Sequence, residues 1–452
     1  MANILTSLTS AANSMGVYEK SMEVVQNDTT NASTPGYVRQ TLVLNADPFS
    51  LDGGAAGGVS AGTLLSSRDL YAEQNVQTQQ SALSFSTTLN NNLSVLNPVF
   101  DLQSTTGIAG SLNTLFSAFS QLSVTPNDAT LRQSVIGAAT GLSNAFQSTN
   151  QGLVNTSANL DLDASNAVQD INTIVSNIQS LNVQRRQNGG GTPDPGLDAQ
   201  MYSNLESLSK YVDFTTVQSP DGTMNVFLGG QEALLVGTDQ VKLKVTASPA
   251  QLSIQDANGN DVSSMISQGS LAADLQARNT LIPGYQTQLD TLAKGVADTV
   301  NNQLAAGVDQ NGQPGAVLFT YNAAAPSKTF DVSSAITTRQ IAAASAANPG
   351  GNDNAVALSQ LQAATPIGGF TFTQAFGNLS ANVGRDISDA NNNQTTGQAL
   401  LAQAQTLRSN ASSVSLDEEA TRLIQYQQAY EATSKLITVI NDMTQTLIGI
   451  IQ

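Results

Sequence analysis

The sequence predicts a mainly α protein with inserted β segments: terminal helices paired as a coiled coil, a helical-bundle domain, and a smaller strand-rich outer domain. Three observations lead there. Both ends of the chain repeat apolar residues at the roughly 3.5-residue period of helix-on-helix packing. The long stretch after the N-terminal segment carries apolar stripes one helix face wide. Near Phe214 the pattern changes to short β-branched runs bounded by Gly and Asp.

Composition narrows the function before any motif is read. The 452 residues suffice for two or three domains, yet only 11% are charged, and Cys, His and Trp are absent. Zinc or iron sites with nitrogen and sulfur ligands are therefore closed to the chain, as is His- or Cys-based catalysis, and no cofactor is expected. A net charge of −17 makes nucleic acid and anionic membrane poor partners. No stretch approaches the roughly 18 apolar residues of a membrane span. The first residues lack a basic segment followed by an unbroken apolar core, so no cleavable secretory signal is expected.

The elements follow in order. Met1, Leu8, Met15 and Met22 share one heptad position and Ile4, Ala11, Tyr18 and Val25 the other, so a first helix is expected to end near Gln26, before turn-favouring residues 27–31. In Thr34-Pro35-Gly36-Tyr37, Pro35 fixes φ and Gly36 supplies positive φ, which is a type II turn with Tyr37 as its anchor. Residues 42–44 read as a short strand and the Gly/Ala-rich run 52–62 as a loop. Helices are expected over residues 67–96, around Leu112 to Leu122, from Leu131 to Leu153, and over 164–186. Asn127 or Asp128 is placed to cap the third of these.

Residues 189–196 form a Gly/Pro break that lacks the GK[ST] of a phosphate loop, and a short helix follows through Leu205 and Leu208. Residues 214–245 are strand territory, and Asn258-Gly259 signals a two-residue hairpin. Asp256, Asn258 and Asp261, and likewise Asp309 and Asn311, have turn chemistry and not the spacing of a calcium loop. Residues 271–304 return to helix with a break at Pro283-Gly284. Residues 307–393 read as small strands and loops with one helix near 355–361, and residues 398–408 are helical. A joint at 409–413 precedes the last helix. There Ser415 and Glu418 have capping-box spacing, and Asp417, Glu418 and Glu419 face the positive end of the helix dipole. Its seam runs through Leu416, Leu423, Tyr430, Ile437, Thr444 and Ile451, with Tyr426, Ile440 and Leu447 three residues after members of it.

Two blocks carry a family likeness. Asn31-Ala32-Ser33-Thr34-Pro35-Gly36-Tyr37 with Arg39-Gln40 is similar to the motif shared by flagellar rod, hook and junction proteins. Residues 412–420 with Tyr426-Gln427-Gln428-Ala429-Tyr430 are similar to the C-terminal block of the same proteins. Asp170-Ile171-Asn172, Leu181-Asn182, the hairpin from Asp221 to Gln231, residues 269–275 with Arg278, and Asp353-Asn354-Ala355 add to the likeness. Over nearly its whole length the chain resembles the flagellar hook-associated protein 1 family, the junction proteins between hook and filament. It departs from the family at Leu197-Asp198-Ala199-Gln200-Met201 and at Asn27-Asp28-Thr29-Thr30-Asn31.

The resemblance implies a structural, non-enzymatic protein, exported unfolded by the flagellar type III apparatus to the extracellular flagellum. It implies self-association into a ring, contacts with the hook protein and with a second junction protein or filament subunits, and an export chaperone at the C-terminal helix. The expected division is residues 1–40 and 409–452 as the assembling terminal helices. Residues 41–212, 270–307 and 394–408 form the bundle, and 213–269 and 308–393 the outer modules. The expected assembly interface is Ile4, Leu8, Met15, Tyr18, Met22, Val25, Leu416, Leu423, Tyr426, Tyr430, Ile437, Ile440 and Leu447. Neither terminal stripe can be buried by its own helix, so ordering of both ends is expected on assembly. Alternatives are another flagellar axial subunit, a cell-wall hydrolase using Asp161 and Asp163, or an adhesin.

Overall fold

A computed structural model describes residues 2–50, 55–189 and 194–451. Met1, residues 52–54, residues 190–193 and the side chain of Ile451, which figure in the sequence reading, lie outside the described residues. The chain divides into two units. One takes residues 1–82, 170–242 and 397–452, the other 83–169 and 243–396. The architecture is mainly helical with small antiparallel sheets, as the sequence predicts.

The first helix, α1 (Ala2–Asn31), runs five residues past the expected end at Gln26. Residues 27–31 stay helical because their polar side chains bond within the helix. The Thr29 and Thr30 hydroxyls and the Asn31 amide donate to the carbonyls four residues back, at 2.7–3.0 Å. The Pro-Gly turn follows as expected: Gly36 has φ +76° and Tyr37 N donates to Thr34 O at 3.1 Å. Then come β1 (Gln40–Ala46), β2 (Phe49–Ser50), β3 (Ala55–Ala56) and β4 (Val59–Ser66). β1 pairs antiparallel with β4 and β2 with β3, so the Gly/Ala-rich run is largely one arm of a ribbon and not a loop. The ribbon lies against α1, where Ser14 Oγ accepts from Val59 N at 3.0 Å and Ser10 Oγ donates to Gly57 O.

Helix α2 (Leu70–Ser94) is capped by Asp69, and α3 (Ile108–Val124) matches its predicted stripe. The next two expected helices are one, α4 (Ala129–Gln187), 59 residues and about 90 Å long. Asp128 caps it through Thr130 N and Leu131 N. No Gly or Pro falls between Leu153 and Ala164, and the buried positions Leu153, Leu160, Ala164, Ala167 and Ile171 keep the stripe unbroken. Helix α5 (Pro195–Leu208) forms despite the departure from the family at 197–201. Asp194 Oδ1 accepts from Gly196 N and Leu197 N at 3.0 Å, and Pro195 suits the first turn.

Strands β5 (Phe214–Gln218), β6 (Met224–Leu228), β7 (Glu232–Val236) and β8 (Asp239–Gln240) make an antiparallel sheet in sequence order. The buried Asn182 of α4 fastens it: its amide donates to Met224 O and Gly237 O and accepts from Met224 N, at 2.7–2.9 Å. A hairpin of β9 (Lys244–Ala247) and β10 (Leu252–Gln255) follows. The expected two-residue Asn-Gly hairpin turn is replaced by a longer one. Only glycines have positive φ among the described residues, so Asn258 cannot take the first position of that turn. Gly259 N donates to Asp256 O instead, and Asp256 Oδ1 accepts from Asn258 N and Asn260 N at 2.8 Å.

The helix expected over 271–304 has its irregularity before Pro283. Helix α6 (Ser270–Gln276) passes through a π turn, Ala277–Leu281, into α7 (Ile282–Ala306). The wider turn removes the bond that the missing N–H of Pro283 could not make. Short pairs β11 (Gly307–Val308), β12 (Phe319–Thr320), β13 (Asp331–Val332) and β14 (Ala344–Ser345) and helix α8 (Asp353–Gln360) follow. The segment from 372 to 393, read as strand and loop, belongs to α9 (Phe372–Ser412), which absorbs most of the expected joint at 409–413. Its buried Phe372, Phe376, Leu379, Val383 and Ala390 are spaced for a helix, and Thr371 and Gln374 box its start. Those phenylalanines enter the core of the second unit, where Phe116 stacks on Phe372 and Phe330 lies 4.7 Å from both Phe146 and Phe319. The chain ends in α10 (Leu416–Ile451).

Candidate functional site

Within the first unit, α1 and α10 lie side by side and antiparallel. Ile4 borders a groove of about 430 Å³ with Val439, Met443, Leu447 and Ile450, while at the other end Arg39 Nη1 meets Glu418 Oε2 at 2.9 Å. The predicted seam residues fall into three groups. Val25 and Ile440 are buried, and Ile4, Leu8, Met15, Tyr18, Met22, Leu423, Tyr426, Tyr430 and Ile437 are half-buried. Leu416 and Leu447 are exposed. A small-residue stripe of α1, Ala11, Ser14, Val17 and Ser21, is also buried.

A second stripe was missed. Leu436, Met443 and Ile450 repeat at seven residues with Val439 between, and all four are exposed, Met443 by 56% and Ile450 by 75%. Leu5 on α1 is exposed as well. The heptad spacing was legible in the sequence; the choice between two overlapping seams was not. Charge is sparse here: residues 2–18 hold no charged side chain, and residues 436–451 hold only Asp442.

The other end of the pair is a polar joint. Asp28, fully buried, accepts from Tyr37 Oη at 2.6 Å and from Gln40 N at 3.0–3.1 Å through both oxygens. Burial raises its carboxyl above the ordinary range, although these donors, Arg39 and Arg422 oppose the rise. The Tyr37 hydroxyl is pushed up by burial and by Asp28. The turn is thus folded back onto the last turn of α1. Thr34 and Pro35 stay exposed, while a Cβ on Gly36 would land on the Ala199 carbonyl of α5 and 3.1 Å from Ser203 N.

Arg68 ties these pieces to α2: it donates to Gly36 O at 2.6 Å, pairs with Glu73, and lies 3.8 Å over the Tyr202 ring. Arg408 Nη1 of α9 bridges Glu73 at 3.2 Å and Glu206 at 2.7 Å. Ser412 O accepts from Arg39 N, and Ser412 Oγ from Asp69 N. The expected capping box at 415–418 is half made: Ser415 Oγ accepts from Glu418 N at 3.4 Å, but the Glu418 carboxylate is held by Arg39.

Of the two candidate catalytic carboxylates, Asp161 is held in an ion pair and Asp163 is exposed. Asp161 Oδ1 accepts from Arg278 Nε at 3.0 Å, and Asp163 lies near the buried Asp274, whose carboxyl burial pushes up to about 7. Asp309 Oδ1 accepts from Asn311 N and Gln313 N at 2.8 Å, the same turn as at Asp256.

Comparison with known proteins gives the fold and the joint a context. The family model of the flagellar hook-associated protein FlgK helical domain matches residues 93–319, and that of the flagellar basal body rod FlgEFG protein C-terminal matches residues 407–450. Flagellar hook-associated protein 1 of Bacillus subtilis is 23% identical over 501 residues, covering 99% of each chain. The protein of that name from Salmonella typhimurium is 26% identical over 326 residues, 69% of this chain and 58% of its own. Among solved structures, the flagellar hook junction protein FlgK of Burkholderia pseudomallei superposes with a TM-score of 0.68 at 18% identity, over 76% of this chain and all of that one.

Proposed function

The chain belongs to the flagellar hook-associated protein FlgK family and is a structural subunit of the flagellum joining hook to filament, and from that premise we propose that it assembles through the outer stripe of its paired terminal helices. In this reading the inner seam holds α1 on α10 within one chain, and the outer stripe, most of which lines the groove beside Ile4 of α1, closes against neighbouring copies in a ring. The hook protein lies on one side of the ring and a second junction protein or filament subunits on the other. The subunit reaches the cell exterior through the type III apparatus, escorted by a chaperone at the C-terminal helix, and works without catalysis.

The observation that carries this reading is the row Leu436, Val439, Met443 and Ile450, exposed along the end of α10, where residues 436–451 hold only Asp442 as a charged side chain. Covering one such side chain returns roughly 1.5–3 kcal/mol, so a few together offset the loss of freedom on assembly. Met443→Asp is expected to leave the chain folded and secreted but absent from the hook tip. Normal incorporation of that variant, read by motility and by electron microscopy of isolated hooks, overturns the proposal. A second reading, a hook or distal-rod subunit, draws support from the match of residues 407–450 to the rod-protein family. Growth of the purified chain into long tubes would favour it.

A further inference from the structure

At the base of the terminal pair Glu419 is fully enclosed, with 0% of its side chain exposed, and neither carboxylate oxygen has a hydrogen-bond partner. An enclosed carboxylate without donors is costly as an ion and much less so as a neutral acid. Of the groups that face it, Asp28 and Arg39 have other commitments, and Arg422 alone is directed to it. On α1, Asp28 is a second buried carboxylate, already supplied with donors from Tyr37 and Gln40, and it is the one of the two equipped to carry the charge. Beyond the turn, Arg39 is engaged by Glu418 at 2.9 Å. On α10 itself, Arg422 Nη1 makes a long ion pair with Glu419 Oε1 at 3.6 Å, without a hydrogen bond.

We propose that Glu419 is a proton-operated latch: with its carboxyl neutral the base of α10 seats on the end of α1, and with it ionised the base lifts to reach water. The electrostatics agree in direction. Burial holds the Glu419 carboxyl above its ordinary value of 4.5; Arg422 pulls it down, Asp28 pushes it further up, Arg39 opposes and Glu418 adds to the rise. A carboxyl raised on docking binds its proton more tightly in the docked state. The stabilisation is therefore complete below the undocked value near 4.5 and is lost as pH climbs through the raised docked value. The latch belongs to the isolated chain, so its test does not depend on ring assembly.

The experiment is hydrogen exchange on the full-length monomer between about pH 5 and about pH 8, corrected for intrinsic rates. Wild-type protection of residues 416–426 and 21–31 is expected to fall with rising pH, by at most about tenfold per pH unit for one linked proton. Glu419→Gln is expected to hold the low-pH protection of residues 416–426 across the range, any slope left in residues 21–31 belonging to the Asp28 carboxyl, which burial also raises. Glu419→Met serves where the amide itself lacks a partner and gives the same flat profile. Glu431→Gln, at an exposed position about three turns further along α10, retains the wild-type slope. A flat wild-type profile, or the wild-type slope persisting in both Glu419 variants, overturns the latch.

Discussion

Gly36 shows how much one residue of the shared turn has to satisfy. Its φ of +76° is one that side-chain-bearing residues rarely adopt, and the α5 backbone occupies the place of its missing Cβ. Gly36→Ala is therefore expected to destabilise the first unit by about 2 kcal/mol, from backbone strain and displacement of α5 together. Gly377, inside α9 with ordinary φ and nothing near its absent Cβ, is the control. There alanine is expected to add about 0.5–1 kcal/mol. Urea midpoints of the two variants moving in the same direction would contradict this. The turn itself was readable from Pro35-Gly36, since both residues impose local dihedrals. The Ala199 carbonyl was not, because it arrives from more than 160 residues away. Asp28 is similar: as one of five turn-favouring residues it looked like a helix stop, and only the returning Gln40 N–H and Tyr37 hydroxyl explain why it stays buried in a helix.

At the scale of elements, the sequence located helices well and their joins poorly. The expected stripes from Leu112 to Ile178 are buried apart from half-buried Leu131 and Ala138, yet two stripes proved to be one helix, and the region of α9 before Gln398 was not read as helix at all. The reason is the same in both places. Residues 154–163 are rich in Asn and Asp, and residues 377–396 in Asn, Ser, Gly and Asp, all weak helix formers, so local propensity argued for a boundary. Tertiary burial of widely spaced apolar residues overrode it. Such a helix leans on its buried anchors. Phe376, 1% exposed and near Phe100, is one of them, and Phe376→Ala is expected to cost about 3–5 kcal/mol. Loss of less than about 1 kcal/mol in a urea titration of that variant would mean that α9 holds by its own propensity. The π turn before Pro283 was half legible: the proline announced an irregularity, and only packing placed it upstream, where Arg278 reaches Asp161 and Ser248 O.

Over the whole molecule, the fold is nested: the two ends of the chain meet each other, and everything between is inserted. Charge follows the nesting. The net −17 is carried largely away from the distal parts of α1 and α10, where residues 2–18 have none and 436–451 have one. A tip that sheds charge while exposing Leu5, Leu436, Met443 and Ile450 is suited to burial among copies of itself. Within one chain the inner seam gives only partial cover, since most of its residues are half-buried. On the proposed reading the pair is marginal alone and is completed by neighbouring copies. Hydrogen exchange on the monomer and on the assembled hook-tip particle tests this most directly. Amides of residues 2–18 and 430–451 are expected to exchange quickly in the monomer and to gain protection of at least about a hundredfold on assembly. Equal, strong protection of both segments in the free monomer would contradict the account.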